Sequence, residues 1–246
     1  MSALLEAEDL HINFGGVQAA GGISLTVESG ERLAIIGPNG AGKTTFINIC
    51  TGYLKPQQGR VRFRDAEITA RPPRAITRLG IARSFQIPQL FAEHTVLENL
   101  LLGAAVRDRA WRPWWRLSGL GQRAEMLELL ALFELQTVAG QTIAGLPEGV
   151  RKLVDIALAL ALRPQLLLMD EPTSGVSSQE KFTVMDTLDR VLRERGVTAV
   201  FVEHDMEVVS RYAHRVAVWS SGRIQALGPP DTVLNDPAVR ADVIGL

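Results

Sequence analysis

The strongest constraint on this chain is a glycine-rich segment, which reads Gly37-Pro38-Asn39-Gly40-Ala41-Gly42-Lys43-Thr44. It matches the pattern G-x-x-x-x-G-K-[ST]. The apolar run 33–36 precedes it, and a helical pattern with Phe46, Ile47 and Ile49 follows it. Strand, glycine-rich turn and helix are the context that this pattern requires. The segment therefore predicts a phosphate-binding loop at the start of a βαβ unit.

Each residue type in this loop has a physical reason to be there. Glycines let the backbone curl so that its N–H groups point at phosphate oxygens, and the helix N-terminus adds partial positive charge. Lys43 places a cation at the β- and γ-phosphates, and the Thr44 hydroxyl is suited to Mg²⁺. We expect residues 37–44, together with Thr45, to bind ATP.

Two acidic residues follow a second apolar run, at residues 166–169. A carboxylate at the carboxyl end of a buried parallel strand lies where α/β sheets bind ligands, so Asp170 is expected to hold Mg²⁺ directly or through water. Glu171 leaves the strand at a different angle and is suited to polarise an attacking water. The alternative is a pair of solvated acids at a strand end, which the nearby phosphate loop makes less favourable.

The rest of the chain alternates short apolar runs with helical patterns. Strands are predicted at residues 4–14, 23–27, 33–36, 59–63, 166–169, 198–202 and 216–219. Strands that alternate with helices predict a parallel sheet covered on both faces. A helix ending at Gly196 carries Phe182, Met185, Leu188 and Leu192 as one stripe, and its predicted ion pairs are Asp186–Arg190 and Asp189–Arg193.

The middle of the chain has a different character, because strand signals are scarce between residues 86 and 149. Leu127, Leu130 and Ala131 have the i, i+3, i+4 spacing of an amphipathic helix. The stretch 107–123 is basic and rich in Trp, and predicts a helical insertion with a loop. Within it, residues 111–123 could contact membrane headgroups or transmembrane subunits. The alternative is a surface loop that packs its own aromatic residues.

Composition narrows the possible classes of protein. The 246 residues are 46% hydrophobic and 22% charged, which is typical of a folded chain of one or two domains. A net charge of −1 does not favour a nucleic-acid binder, and a single cysteine excludes an intrachain disulfide framework. No segment approaches the roughly 20 apolar residues of a transmembrane helix, and the N-terminus lacks a basic n-region. We expect a cytosolic protein.

Three further motifs extend the pattern beyond the phosphate loop. They are Arg83-Ser84-Phe85-Gln86, Met169-Asp170-Glu171-Pro172-Thr173-Ser174-Gly175 and Val202-Glu203-His204-Asp205. In this order and spacing the chain resembles the ATP-binding subunits of ABC transporters over nearly its whole length. The resemblance implies an α/β fold: a P-loop NTPase core with a parallel sheet, an N-terminal antiparallel β-subdomain and a helical subdomain. Residues 1–246 would form one domain, with 1–86 and 151–246 as the core and 87–150 as the helical insertion.

The resemblance also implies roles for individual residues. Phe14 would stack on adenine, although a core strand residue is the alternative there. Gln86 would touch Mg²⁺ beside Thr44 and Asp170, and would sense the transmembrane partner. Glu171 would be the general base and His204 the residue that contacts the γ-phosphate. In this family two subunits enclose two ATP molecules, each between one subunit's phosphate loop and the other's signature motif.

A subfamily is also suggested. Segments 14–17, 81–86, 95–100, 201–206 and 234–237 resemble importers of branched-chain amino acids, while urea and short-amide importers use similar ATPases. The implied partners are transmembrane permease subunits, a second ATPase subunit and, indirectly, a substrate-binding protein, at the inner face of the membrane. One alternative is a soluble ABC ATPase acting on DNA or ribosomes, but these usually carry tandem cassettes or a long coiled coil. The other is a regulator that does not hydrolyse ATP.

The signature motif departs from the family pattern, which is close to L-S-G-G-Q. Here it reads Leu146-Pro147-Glu148-Gly149-Val150, before a helix predicted from 151 to 162. Pro147 replaces the serine, and Glu148 brings a carboxylate to where the partner's triphosphate should dock, whereas Gly149 is kept. Ser177 replaces the aspartate of the following loop.

These departures lie on the surface that the chain would offer to its partner's ATP. We hypothesise a heterodimer with a second, different ATPase subunit. In it this chain's own site would hydrolyse ATP efficiently, and the opposite site would bind ATP but hydrolyse it slowly. The alternative is that backbone N–H groups suffice in the signature motif and that both sites work.

Overall fold

The computed structural model describes residues 3–108 and 122–241. The strands of this part are β1 Ala3–Phe14, β2 Val17–Glu28, β3 Arg32–Ile36, β4 Gln58–Phe63, β5 Ala66–Glu67, β6 Ile81–Ser84, β7 Leu166–Asp170, β8 Thr198–Val202, β9 Arg215–Ser220 and β10 Arg223–Gly228. The helices are α1 Lys43–Cys50, α2 Pro73–Leu79, α3 Val96–Arg107, α4 Arg123–Leu132, α5 Glu148–Ala161, α6 Glu180–Arg195, α7 Met206–Tyr212, α8 Pro230–Val233 and α9 Pro237–Val239. Among these helices, none combines the length and the apolarity that a bilayer crossing needs.

Two sheets form the framework. The larger has six strands in the order β10-β9-β3-β8-β7-β6, and all its neighbours are parallel except the edge pair β10–β9. The smaller is antiparallel, in the order β2-β1-β4-β5. The predicted fold class, a parallel α/β sheet with an N-terminal antiparallel sheet, is confirmed.

The alternation of side chains along β3 divides the core into two layers. Ala34 and Ile36 join an apolar cluster with helices α3 to α7, whereas Leu33 and Ile35 join a second cluster with α1 and the antiparallel sheet. All four side chains are fully buried. Both faces of the large sheet are therefore covered at its centre, which explains why β3, β7 and β8 are nearly continuous apolar runs.

The described residues between 87 and 150 carry helices α3 and α4 and two short 3₁₀ turns, Gln136–Val138 and Ile143–Gly145. A capping box starts α3: the Thr95 hydroxyl accepts from the Glu98 N–H at 3.2 Å, and the Glu98 carboxylate accepts from the Thr95 N–H at 2.8 Å. Residues 109–121, which hold most of the basic Trp-bearing stretch, lie outside the described part.

Two details of the predicted helix faces are wrong. In α4 the buried residues are Met126, Leu129 and Leu130, while Leu127 and Ala131 are exposed. Both sets satisfy the helical spacing, and the position of α4 against the core selects between them.

In α6 the pair Asp189–Arg193 forms as predicted, but Asp186 and Arg190 do not pair with each other. Asp186 instead pairs with Arg211 at 2.8 Å, and Arg190 pairs with Glu134 at 2.8 Å. The packing of α6 against α7 and against the turn after α4 supplies these partners, which lie far away in sequence.

Candidate nucleotide site

The phosphate loop connects β3 to α1 and packs against the β1–β2 hairpin. Gly42 has φ +100°, and a Cβ built on it would lie 2.0 Å from the carbonyl oxygen of Ala19 in β2. No side chain fits at that distance, so the close approach of hairpin and loop depends on a glycine here. Gly40 also has a positive φ of +80°, but a Cβ there would meet no heavy atom within 4 Å.

This contrast predicts unequal effects of two identical substitutions. Gly42→Ala should lower the free energy of unfolding by about 2–4 kcal/mol, because a backbone clash adds to the left-handed strain. Gly40→Ala carries only the strain and should cost about 1 kcal/mol. Urea unfolding of both variants measures the difference, and equal losses would show that the hairpin does not constrain Gly42.

Lys43 is buried inside the loop. Its ammonium donates to the carbonyl oxygens of Gly37 at 2.6 Å and Pro38 at 2.9 Å, and the residue is only 6% exposed. Burial lowers the pKa of Lys43, while the negative charges of Glu171 and Asp170 oppose that shift. The loop carbonyls thus orient a cation where the sequence predicts the phosphates.

Asp170 ends β7 and faces the start of α1. Its Oδ1 accepts from the Thr44 hydroxyl at 3.4 Å, and its Oδ2 accepts from Arg83 at 3.1 Å. Carboxylate and hydroxyl oxygens are ligands that Mg²⁺ prefers, so this donor pair fits the ion. Among the described residues there is no group of three or more His, Cys, Asp and Glu that could hold a metal ion.

Glu171 contacts both Gln86 and His204, which the sequence also predicts in the site. Its Oε1 lies 3.0 Å from Nε2 of His204, and its Oε2 accepts from Nε2 of Gln86 at 2.7 Å. The backbone has φ +52°, a left-handed conformation that costs a non-glycine residue about 1–3 kcal/mol and is typical of functional sites. The Glu171 N–H donates to Val202 O at 3.1 Å, and this bond to β8 helps to hold the strained residue.

Two buried charged residues of the site, Lys152 and Glu203, were given no role by the sequence analysis. Lys152 in α5 is 1% exposed and donates to the backbone carbonyl oxygens of Gln86 and, at 3.3 Å, Glu171. Glu203 accepts from the Thr173 hydroxyl at 2.7 Å and from the His204 N–H at 3.1 Å. Burial lowers the pKa of Lys152 and raises the pKa of Glu203. Lys152 follows Arg151, and Glu203 stands in the motif Val202-Glu203-His204-Asp205, but neither position along the chain identifies a partner.

Phe14 occupies the tip of the β1–β2 hairpin. It pairs with Val17 across the turn Gly15-Gly16, and it is 46% exposed. It is therefore not a core strand residue, and its ring is accessible on the hairpin that packs against the phosphate loop.

The structure corrects the predicted start of the helix that follows the signature segment. Helix α5 begins at Glu148 with Pro147 as its N-cap, three residues earlier than predicted. Proline has a suitable φ for this position, and an acidic residue in the first turn is favourable to the helix dipole. Gly149 therefore lies within the first turn, with Val176 the nearest side chain, 3.7 Å from an added Cβ.

The Glu148 side chain lies against the neighbouring loop. A Cβ built on Gly175, whose φ is +77°, would lie 2.1 Å from Glu148 Oε1. The carboxylate thus occupies the space beside Gly175, in the segment that carries Ser177.

Comparison with known proteins places this geometry in a family. The model of the ABC transporter family matches residues 20–174, which include the phosphate loop, Gln86, the signature segment, Asp170 and Glu171. The chain belongs to the ABC transporter family. It is an ATPase subunit of that family, which binds ATP, and membership implies permease partners and pairing of cassettes.

Curated relatives of this ABC ATPase match it almost end to end. A probable branched-chain amino acid transport ATP-binding protein LivG of Archaeoglobus fulgidus is 36% identical over 245 residues, covering 96% of this chain and 93% of the relative. The high-affinity branched-chain amino acid transport ATP-binding protein BraF of Pseudomonas aeruginosa is 32% identical, with 98% of each chain covered.

Solved structures agree with the fold of the ABC ATPase. The ADP conformation of an ATP-binding cassette of an ABC transporter superposes with a TM-score of 0.89 at 33% identity, covering 100% of both chains. A dimeric post-hydrolysis cassette bound to ADP and Pi superposes with a TM-score of 0.78 at 27% identity, covering 92% of this chain and 98% of the other.

Proposed function

We propose that this ABC ATPase hydrolyses ATP to energise the import of branched-chain amino acids. The observation that carries the proposal is that relatives bearing this function in their names match at 31–36% identity over nearly the whole of both chains. Urea or short-amide import is the second candidate, because ATPases of those systems resemble the same sequence segments.

The site residues have complementary roles in this proposal. Residues 37–45 bind the phosphates through backbone N–H groups and Lys43, while the exposed ring of Phe14 stacks on adenine. Thr44, Asp170 and Gln86 would hold Mg²⁺, which when bound neutralises charge on the phosphates.

Glu171 orients water and accepts its proton as general base. In this structure His204 contacts one carboxylate oxygen of Glu171 and Gln86 contacts the other. We infer that bound ATP moves the His204 side chain to the γ-phosphate. This movement frees one oxygen of the Glu171 carboxylate for water.

A groove beside Gln86 is the proposed docking site for the permease. It has a volume of about 210 Å³, and its lining includes Tyr53, Phe85 and Gln89. Next to it Ile87 is 74% exposed and Phe91 is 59% exposed, which is unusual for large apolar residues on one short segment. Docking of a permease helix here would place the ATPase peripherally on the inner face of the membrane.

We propose that this chain forms a heterodimer with a second ATPase subunit. The opposite half-site, which combines the partner's phosphate loop with this chain's signature segment, would hydrolyse ATP slowly. Pro147 offers no hydroxyl, and the Glu148 carboxylate lies within the surface that would meet the partner's nucleotide. At an effective dielectric constant of about 20, a carboxylate about 6 Å from a phosphate charge repels it by about 3 kcal/mol. Gly149 and the N–H groups of the first turn of α5 remain to bind that phosphate.

This proposal predicts that Glu148→Gly speeds hydrolysis in the opposite half-site. Glu171→Gln abolishes hydrolysis at this chain's own site, so the remaining rate of phosphate release comes from the opposite half-site. In this background we expect Glu148→Gly to raise that rate at least about tenfold. Glu148→Gln, in the same background, removes the charge and keeps the side chain. Phosphate release by the assembled complex is the measurement, and an unchanged background in both combinations would contradict repulsion by Glu148.

The transported solute is tested in liposomes. The chain is assembled with its permease subunits, second ATPase and binding protein, and ATP-dependent uptake of leucine, isoleucine and valine is compared with uptake of urea and acetamide. Uptake of the three amino acids alone supports the proposal, and uptake of urea or acetamide alone supports the second candidate. An assembly that binds ATP and never releases phosphate would indicate a regulatory subunit instead.

A further inference from the structure

Arg83 is the one residue of the Arg83-Ser84-Phe85-Gln86 motif whose contacts join the metal-binding carboxylate to the docking groove. It lies on the edge strand β6, and its side chain is only 9% exposed. One guanidinium nitrogen donates to Asp170 Oδ2 at 3.1 Å, and the other donates to Asn48 Oδ1 at 2.5 Å. A single buried cation thus connects β6, the end of β7 and the helix that follows the phosphate loop.

The bond from Arg83 decides which oxygen of Asp170 is available. Oδ2 is taken by the guanidinium, so Oδ1 is the oxygen that faces the Thr44 hydroxyl. A hydrogen bond to one carboxylate oxygen restrains rotation of the group and directs the other oxygen to the cation. Groups that orient a metal-binding carboxylate in this way typically affect metal affinity or activity by about 10–100-fold.

The guanidinium also contacts two aromatic rings. Its central carbon lies 4.8 Å from the centroid of the Phe85 ring and 5.8 Å from that of the Tyr53 ring. The two rings meet edge to face at 6.1 Å, and both of them line the groove together with Arg83 itself. The rings against which the guanidinium is packed are therefore part of the wall that an occupant of the groove would meet.

The hydrogen bonds of the guanidinium leave one of its donors unpaired among the described residues. Its Nε is buried and has no hydrogen-bond partner within the described residues. The two terminal nitrogens of the guanidinium donate to Asp170 and Asn48.

We propose that Arg83 is a positioning residue for Asp170 and that it relays occupancy of the groove to the Mg²⁺ ligand. A permease helix in the groove shifts the rings of Phe85 and Tyr53, the guanidinium moves with them, and the direction of Asp170 Oδ1 changes. The relay rests on the proposed docking of the permease in this groove, whereas the positioning of Asp170 does not.

Metal binding by the isolated full chain tests the positioning role. Mn²⁺ is the probe, and its dissociation constant is measured by electron paramagnetic resonance in the presence of ADP. Arg83→Met should raise this constant by about 10–100-fold, while the affinity for ADP in EDTA changes by less than about twofold. Arg83→Lys keeps the charge and should recover part of the loss. Arg78→Met, on the exposed side of α2, is the matched control and should bind Mn²⁺ like the wild type.

A folded Arg83→Met variant with wild-type Mn²⁺ affinity would overturn the positioning role. If Arg83→Met does not fold, Asn48→Ala removes the second anchor without leaving Asp170 unpaired. Asn48→Ala should raise the Mn²⁺ dissociation constant in the same direction by a smaller factor, and an unchanged constant would then overturn the proposal.

The relay is tested by comparing the chain alone with the chain bound to its permease. In the wild type, permease binding should change the Mn²⁺ dissociation constant at least about threefold, whereas Arg83→Lys should show no change. Equal constants for free and bound wild type would overturn the relay. Failure of every assembly to hydrolyse ATP would instead overturn the proposed function and leave the Mn²⁺ result on the isolated chain intact.

Discussion

Glu171→Gln should lower ATP hydrolysis by the assembled transporter by about 10²–10⁴-fold, the range in which a positioned general base contributes. Glutamine has the size of glutamate and can keep the contacts that Glu171 makes with Gln86 at 2.7 Å and His204 at 3.0 Å. It cannot accept a proton from water. ATP binding should therefore be retained while phosphate release is lost.

The matched control is the same substitution at Glu207, an exposed residue in the first turn of α7. Glu207→Gln should hydrolyse ATP at the wild-type rate. Phosphate release and binding of a fluorescent ATP analogue are measured on both variants. Substantial turnover in the Glu171→Gln complex would show that the main active site lies elsewhere, and the heterodimer with a competent site on this chain would be wrong.

Lys43→Met should weaken ATP binding by about 10–100-fold. A hydrogen bond to a charged group contributes about 1.5–3 kcal/mol, and methionine keeps the length of the side chain without its charge. In the folded chain the ammonium is buried and held by the carbonyl oxygens of Gly37 and Pro38, so it is already oriented before a phosphate arrives. Removing it takes away a preorganised cation.

Titration calorimetry with ATP measures this effect, and Lys55→Met, an exposed lysine in the turn before β4, is the control. A wild-type dissociation constant for Lys43→Met would mean that the backbone N–H groups of the loop supply the whole affinity. Loss of binding in both variants would point to general charge rather than to the position of Lys43.

Sequence patterns predicted the parts of the site that are built from neighbouring residues. The phosphate loop was predictable because eight adjacent residues, a strand and a helix form one local unit. Asp170 and Glu171 were predictable because the end of an apolar parallel strand is where such sheets bind ligands. Helix boundaries and faces were less certain, as the start of α5 at Glu148 and the buried side of α4 show.

The sequence by itself determined the phosphate loop, the order of the motifs and, to within one residue, the ends of β3, β7 and β8, because each depends on interactions within a few residues. The prediction for β2 was wrong, since it begins at Val17 and not at residue 23, and β5, β6 and β10 were not predicted. Only the tertiary structure decided which distant groups meet. The sheet order β3-β8-β7-β6 brings Glu171 to His204 and Arg83 to Asp170. The packing of α5 brings Lys152 to the carbonyl oxygen of Gln86. Side chains more than 30 residues apart become neighbours through strand pairing and helix packing, which spacing along the chain does not encode.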